Sequence, residues 1–315
     1  EKSFAEYKRI FGKTQTLFID EAQMVPQIGL ILKILHDQLP QLRIIATGSS
    51  SFDLNNELGE PLTGRKQTFY LYPIAQLELN ARENPVESYE LLPERMIFGT
   101  YPEVLQYETY QDKSDYLREL IGSYLLKDIL VLDKIHNPDK LWDILKLIAL
   151  QIGQEVSLHE IGQKVNMGKN TVARYLDLLK KGFVLFEVKA FSRNPRTEIS
   201  KRSHYYFYDN GVRNAVLDHF RLLENRQDTG QLWENYIIAE RIKKRAYHRI
   251  RGSFYFWRTY SQQEIDWIEE SQGELTGYEL KYKKQKAKKP PKWQTFYPHA
   301  DFQVIHKENY MDFIT

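Results

Sequence analysis

Thr16-Leu17-Phe18-Ile19-Asp20-Glu21 is a short apolar run that stops on two acids, and Leu42-Arg43-Ile44-Ile45-Ala46 is a second that stops on Thr47-Gly48-Ser49-Ser50. Between them Ile28, Ile31, Leu32, Leu35 and Leu39 recur at helical spacing until Pro40. Strand, helix, strand is the repeating unit of a parallel α/β sheet. Ligands of such sheets lie beyond the carboxyl ends of the strands, where this sequence gathers acids and hydroxyls. An apolar strand ending in Asp-Glu has the chemistry of a Walker B strand. Asp20 would hold Mg²⁺, and Glu21 would polarise an attacking water. Thr47 or Ser49 would sense the γ-phosphate of ATP.

Outward from that stretch the chain has 315 residues, 42% hydrophobic and 27% charged, which describes a folded chain of two or three domains. The formal net charge is only +2, so any nucleic-acid surface is a local patch rather than a global field. Cysteine is absent, excluding a disulfide scaffold, a thiol nucleophile, Cys-ligated zinc and an Fe–S cluster. The eight histidines form no His-Glu-x-x-His pairing, so zinc hydrolysis has no support. No apolar run approaches the ~20 residues of a membrane span, and the first residues do not resemble a signal peptide, so a cytoplasmic protein is expected.

Further along, Ile144, Leu145, Ile148 and Ala149 mark one apolar helix face. Ser157 with Glu160 reads as a capping box, and Val172, Tyr175, Leu176 and Leu179 bury a second helix before a strand over Phe183–Val188. This is a winged helix-turn-helix pattern. Its outward face would carry Lys169 and Arg174 for phosphates and Asn170 for an adenine edge, with Asp177 opposing them. Double-stranded DNA and a protein partner are both open as what it docks.

From Leu232 onward the order is α-β-β-β-α-β. Asp266 falls on the second strand and Glu279-Leu280-Lys281 on the third, where alternation puts Glu279 and Lys281 on one face. Asp266 and Glu279 would hold Mg²⁺ while Lys281 orients water, in the manner of a PD-(D/E)xK nuclease. The alternative for Glu279 and Lys281 is an ion-paired sheet face. Seven lysines between Lys281 and Lys292 are either a phosphate track or a solvated loop.

Several motifs together resemble a prokaryotic family of AAA+-like ATPases, those joining an AAA_14 domain to a DUF4143 region. They are Leu17–Gln23, Ala46–Ser50, Leu62-Thr63-Gly64-Arg65 leading to Leu71-Tyr72-Pro73-Ile74, Leu125–Ile129, Asp209–Asn214 and Gly230–Asn235. The resemblance implies a Mg-ATP-dependent ATPase that acts on DNA and assembles as a homo-oligomer. In it Arg65 is an arginine finger or sensor, though an exposed turn arginine is an equal reading, and Glu234 is the auxiliary acid of the nuclease-like domain. The expected fold class is α/β: a partial P-loop NTPase (AAA+-like) parallel sheet over 1–80, a helical lid over 81–136, a winged helix over 137–190, and a linker with a restriction-endonuclease-like domain over 191–315. One departure stands out. Gly12-Lys13-Thr14 is not a phosphate loop, because Tyr7 occupies the place of its first glycine and no strand precedes it. The chain is therefore expected to lack the family's Walker A segment and to bind ATP poorly alone. Three functions follow: an ATPase, a Mg²⁺-dependent DNA nuclease that the ATPase regulates, or a non-catalytic nucleotide-gated docking module.

Overall fold

The computed structural model describes residues 4–48, 62, 64–125, 137–193 and 203–315. It is a mixed α/β chain. Helix α1 (Phe4–Phe11) precedes β1 (Thr16–Ile19), α2 (Ile28–Gln38) and β2 (Arg43–Ala46). β1 and β2 pair in parallel, with Ile19 opposite Ala46. α2 lays Ile28, Leu32, Leu35 and the flanking Leu39 and Leu42 against one face of this pair, forming two small apolar clusters. Phe18 and Ile45 point from the other face into solvent. Gly12 accepts no role at a helix start: its amide closes the last turn of α1 on the Lys8 carbonyl at 2.8 Å. That is the negative end of a helix, the wrong end for a phosphate.

Helical pieces follow: α3 (Gln76–Leu79), α4 (Pro85–Phe98), a 3-10 turn (Val104–Gln106), α5 (Tyr110–Glu119) and a π-helical turn, Leu120–Leu125. α4 starts where it does because Asn84 accepts from the Val86 and Glu87 amides at 2.9 and 3.0 Å, Glu87 returns the bond, and Pro85 needs no partner for an N–H it lacks.

A second helical group comprises α6 (Pro138–Leu150), α7 (Leu158–Val165) and α8 (Lys169–Lys181). Ser157 caps α7 by accepting the Glu160 amide at 3.3 Å. β3 (Leu185–Lys189) and β4 (Ser203–Phe207) form an antiparallel pair beside it, Phe186 facing Tyr206. The expected strand over Phe183–Val188 begins two residues later. Gly182 ends α8, Phe183 takes φ +55°, and only then does the backbone extend.

α9 (Asn210–Val216) leads to the long α10 (Thr229–Tyr247), then β5 (Ser253–Arg258), β6 (Glu264–Ser271), β7 (Glu274–Leu280), α11 (Pro291–Phe296), β8 (Asp301–Ile305) and α12 (Tyr310–Ile314). The sheet order is β5-β6-β7-β8, antiparallel except for the parallel β7–β8 pair. That crossover through α11 requires a helix to cover the sheet, and Trp293 is the side chain it buries.

One continuous core runs from Leu92 and Phe98 through Ile144, Leu176 and Tyr206 to Trp233, Trp267 and Ile314. Polar side chains tie its elements together. Asn214 and Asn210 donate to the Ile97 and Met96 carbonyls at 2.7 and 3.0 Å, satisfying the last turn of α4. Arg213 donates to the Ala149 carbonyl at the end of α6 at 3.0 Å. Asp209 accepts from the Thr100 and Val212 amides at 2.7 and 3.1 Å. Asn235 of α10 brackets Phe207 of β4, accepting its amide at 2.8 Å and donating to its carbonyl at 3.0 Å. Both motif stretches, Asp209–Asn214 and Gly230–Asn235, are thus largely buried joints.

Candidate functional site

Two places gather chemistry. The first is the carboxyl edge of β1 and β2. The strands end in register, so Thr47 follows Ala46 beside Asp20, and its hydroxyl donates to Asp20 Oδ1 at 2.5 Å. Backbone bonds fix the pair: Thr47 N to the Ile19 carbonyl at 2.9 Å, and Ala22 N to the Thr47 carbonyl at 2.8 Å. Glu21 sits at φ +47°, ψ +49°, a left-handed turn that lifts its side chain out of the strand, where Gln23 donates to it. Asp20 and Glu21 are solvent-exposed. Arg65 lies elsewhere on this block: it pairs with Asp37 near the end of α2, Nε to Oδ1 at 3.1 Å, and is well exposed. Ser49 lies outside the described residues.

The second place is the end of the C-terminal sheet where β6 begins and β7 stops. Register puts Trp267 opposite Tyr278, so Asp266 faces Glu279 across the pair. Asp266 is 9% exposed, and Oδ2 accepts the Leu280 amide at 2.7 Å. Glu279 and Lys281, two apart on one face, join at 2.6 Å. Glu234 arrives from α10 and accepts the Tyr206 hydroxyl at 2.7 Å. All four side chains picked out from the sequence therefore converge. Burial pushes Asp266 well above the usual carboxylate range, and the negative charges of Glu234 and Glu279 push it further. Burial likewise raises Glu234 to about 7, against the hydrogen bond from Tyr206 and with Glu264 adding to the rise. Burial works against the charge of Lys281, but Asp266 and Glu279 outweigh it and hold the ammonium on.

Three residues of this site carry no sequence signal. Tyr206 reads only as a strand residue, yet it orients Glu234 and receives a contact from His204 Nδ1 at 3.2 Å. Glu264, two residues before Asp266 on the same strand face, adds another half-buried carboxylate and stands 3.7 Å from Arg258. Gly153, in the turn after α6, packs on the Glu234 carboxylate so closely that a Cβ would stand 2.5 Å from Oε1. Its φ of +70° also favours glycine. Among the described residues no three His, Asp or Glu side chains form a cluster able to hold a metal ion. A pair of carboxylates still suits Mg²⁺, which keeps most of its water shell.

On the helical module, Lys169, Asn170 and Arg174 are exposed along one face of α8. Asp177 pairs with Lys181 and Lys180, at 2.5 and 3.8 Å.

Residues 1–80 match an AAA domain (AAA_14), and residues 229–309 match a domain of unknown function, DUF4143. The chain belongs to the AAA_14/DUF4143 family. Between those segments, residues 89–222 of this AAA_14/DUF4143 protein match another domain of unknown function, DUF8612. An uncharacterized protein of Mycobacterium tuberculosis is 23% identical over 86% of this chain and 59% of its own length. One of Methanocaldococcus jannaschii is 23% identical over 81% and 58%, and one of Haemophilus influenzae 25% over 63% and 52%. The chain thus spans little more than half the length of these relatives. No solved structure matches it. None of the helices described is long and apolar enough to cross a membrane.

Proposed function

We propose that this AAA_14/DUF4143 protein belongs to an AAA-type, Mg²⁺-dependent ATPase in which Asp20, Glu21 and Thr47 serve the nucleotide. The observation carrying this reading is the Thr47–Asp20 hydrogen bond across the carboxyl ends of two parallel strands. An exposed carboxylate braced by a hydroxyl fits the donor set of hydrated Mg²⁺, which would neutralise charge on the phosphates. Asp20 would hold the ion, and Glu21, turned outward by its left-handed backbone, would accept a proton from water. Thr47 would orient Asp20, with Ser49 as a further sensor. Arg65, exposed on the same block, would reach nucleotide only across a subunit interface. Lys169, Asn170 and Arg174 form the surface by which a winged helix would meet duplex DNA. The test is ATP hydrolysis by the full-length protein with Mg²⁺, with and without duplex DNA. Glu21→Gln should lower turnover at least ~100-fold. Hydrolysis undiminished in that variant would overturn the assignment of the base.

The convergence of Glu234, Asp266, Glu279 and Lys281 favours a second reading, a Mg²⁺-dependent nuclease of the PD-(D/E)xK kind that the ATPase regulates. Asp266 and Glu279 would share the ion, Glu234 would support them, and Lys281 would hold the water or the developing phosphate charge. Cleavage with Mg²⁺ that disappears in Lys281→Ala supports it; cleavage retained in that variant sinks it. A protein with no cleavage and no Mg²⁺ uptake at Asp266 would be the third alternative, a nucleotide-gated docking module.

A further inference from the structure

The end of the sheet that holds the acid cluster also holds two features that neither enzymatic reading uses. β5 and β6 meet there in a tight turn: the Thr259 amide bonds the Gln263 carbonyl at 2.9 Å, and the Gln262 amide bonds the Thr259 carbonyl at 2.9 Å. Tyr260 stands at the tip of this turn, 93% exposed. β7 is antiparallel to β6, so it finishes at the same end, and the chain leaves it through Lys281 into a loop with no regular structure before α11. That loop carries Lys283, Lys284, Lys286 and Lys288 in exposed positions, with Lys292 exposed on α11, and no acid lies between Lys281 and Lys292. Its far end is fastened to the turn of Tyr260, because the Lys292 amide donates to Gln263 Oε1 at 3.0 Å. Lys289, near the end of the loop, is anchored on the carbonyl of Ala300 just before β8. The neighbouring acids are engaged locally, Glu308 by Lys284 at 2.6 Å and Glu264 beside Arg258 at 3.7 Å.

An exposed aromatic ring on a stiff turn, flanked by a cationic loop, is what single-stranded nucleic acid needs: a platform for a base and a track for phosphates. A regular duplex hides its base faces, so the ring would add nothing to duplex binding. The geometry points to a single-stranded nucleic-acid site at this sheet end, with Tyr260 stacking a base and Lys283, Lys286, Lys288 and Lys292 contacting phosphates. It deepens the nuclease reading and rests on it for the kind of substrate. Lys281 begins the lysine loop, so a bound strand lies beside Asp266 and Glu279.

The experiment is fluorescence anisotropy of the full chain with a labelled oligo(dT) of about 16 nucleotides and with a duplex of equal length, in EDTA, across a salt series. The single strand should bind more tightly than the duplex. Tyr260→Ala should weaken single-strand binding roughly 5- to 100-fold and leave the salt slope unchanged, while Tyr260→Trp retains it. The triple variant Lys283→Gln, Lys286→Gln, Lys288→Gln should make the slope of log affinity against log salt shallower by about 2. Tighter duplex binding, a neutral Tyr260→Ala, or an unchanged slope in the triple variant overturns the proposal. So does a lysine loop that binds phosphatidylserine vesicles but not oligo(dT). Binding in EDTA with no cleavage in Mg²⁺ keeps this site and removes the nuclease reading. Cleavage that Tyr260→Ala leaves untouched does the reverse.

Discussion

Asp209 is fully buried, yet the Thr100 and Val212 amides both point at it, and a residue of this kind is invisible to pattern reading. In the sequence, Asp209–Asn214 stood out only by resemblance; what it does is cap helix ends supplied by segments some hundred residues away. The acids of the sheet site were more legible. Alternation along a strand fixes which side chains share a face, which suffices for Glu279 and Lys281, while Asp266 comes opposite Glu279 through the pairing register of β6 and β7. Tyr206, Glu264 and Gly153 were missed because their role depends on what a distant element places beside them. His204 is a further case. It stacks on Phe256 with ring centroids 3.6 Å apart, and its Nε2 is buried without a hydrogen-bond partner. Burial, helped by the Arg258 charge, drives its pKa down to about 3. The folded form keeps this imidazole neutral while the unfolded chain takes up a proton below about pH 6.5. Its stabilising share is therefore complete above about pH 6.5 and is lost as pH falls towards 3. In His204→Phe the fall of Tm between about pH 6.5 and 4 should flatten; a slope equal to that of the parent would clear His204 of the effect.

Among the elements, those with explicit start and stop chemistry appeared where expected. α7 opens on Ser157, α2 stops before Pro40, and the α-β-β-β-α-β order is the order found. Edges moved where a local conformation intervened, as at Phe183. α10 is the element whose role reaches furthest. Six residues beyond Glu234 it carries Glu240, which accepts the Gln76 amide at 2.6 Å and the Lys243 ammonium at 2.7 Å. Arg95 and Tyr236 close the joint by donating to Gln76 Oε1 at 2.6 and 3.2 Å. Tyr72 packs beside it against Tyr208 and Tyr247. The segment that leaves the AAA block is thus clasped to the helix bearing Glu234. Glu240 and Lys243 are almost wholly buried, so removing one leaves the other's charge stranded. Glu240→Ala should cost about 3–5 kcal/mol in urea unfolding, and Glu240→Leu with Lys243→Met should recover most of it. If the single variant were as stable as the parent, the joint would contribute little.

For the molecule as a whole, hydrophobic packing divides unevenly. The β1–β2 block rests on two small clusters, whereas one large core reaches from Leu92 to Ile314 and a smaller cluster gathers Trp257, Ile265 and Trp293. Sequence patterns show where apolar faces lie but not which faces meet, so the shared core was not legible in advance. Amides of β1 and β2 should exchange with deuterium through openings of lower free energy than those of β6 around Trp267. Equal protection of the two would contradict that division. The sharing has a consequence for inheritance. When asparagines of one segment finish the helices of another, those segments can be shuffled only together, and a swapped piece would arrive without its caps. Among the described residues, β1, α2 and β2 bring their own packing, and the segment that follows them is clasped to the remainder at Tyr72 and Gln76. They are the part a recombining genome could trade as a cassette.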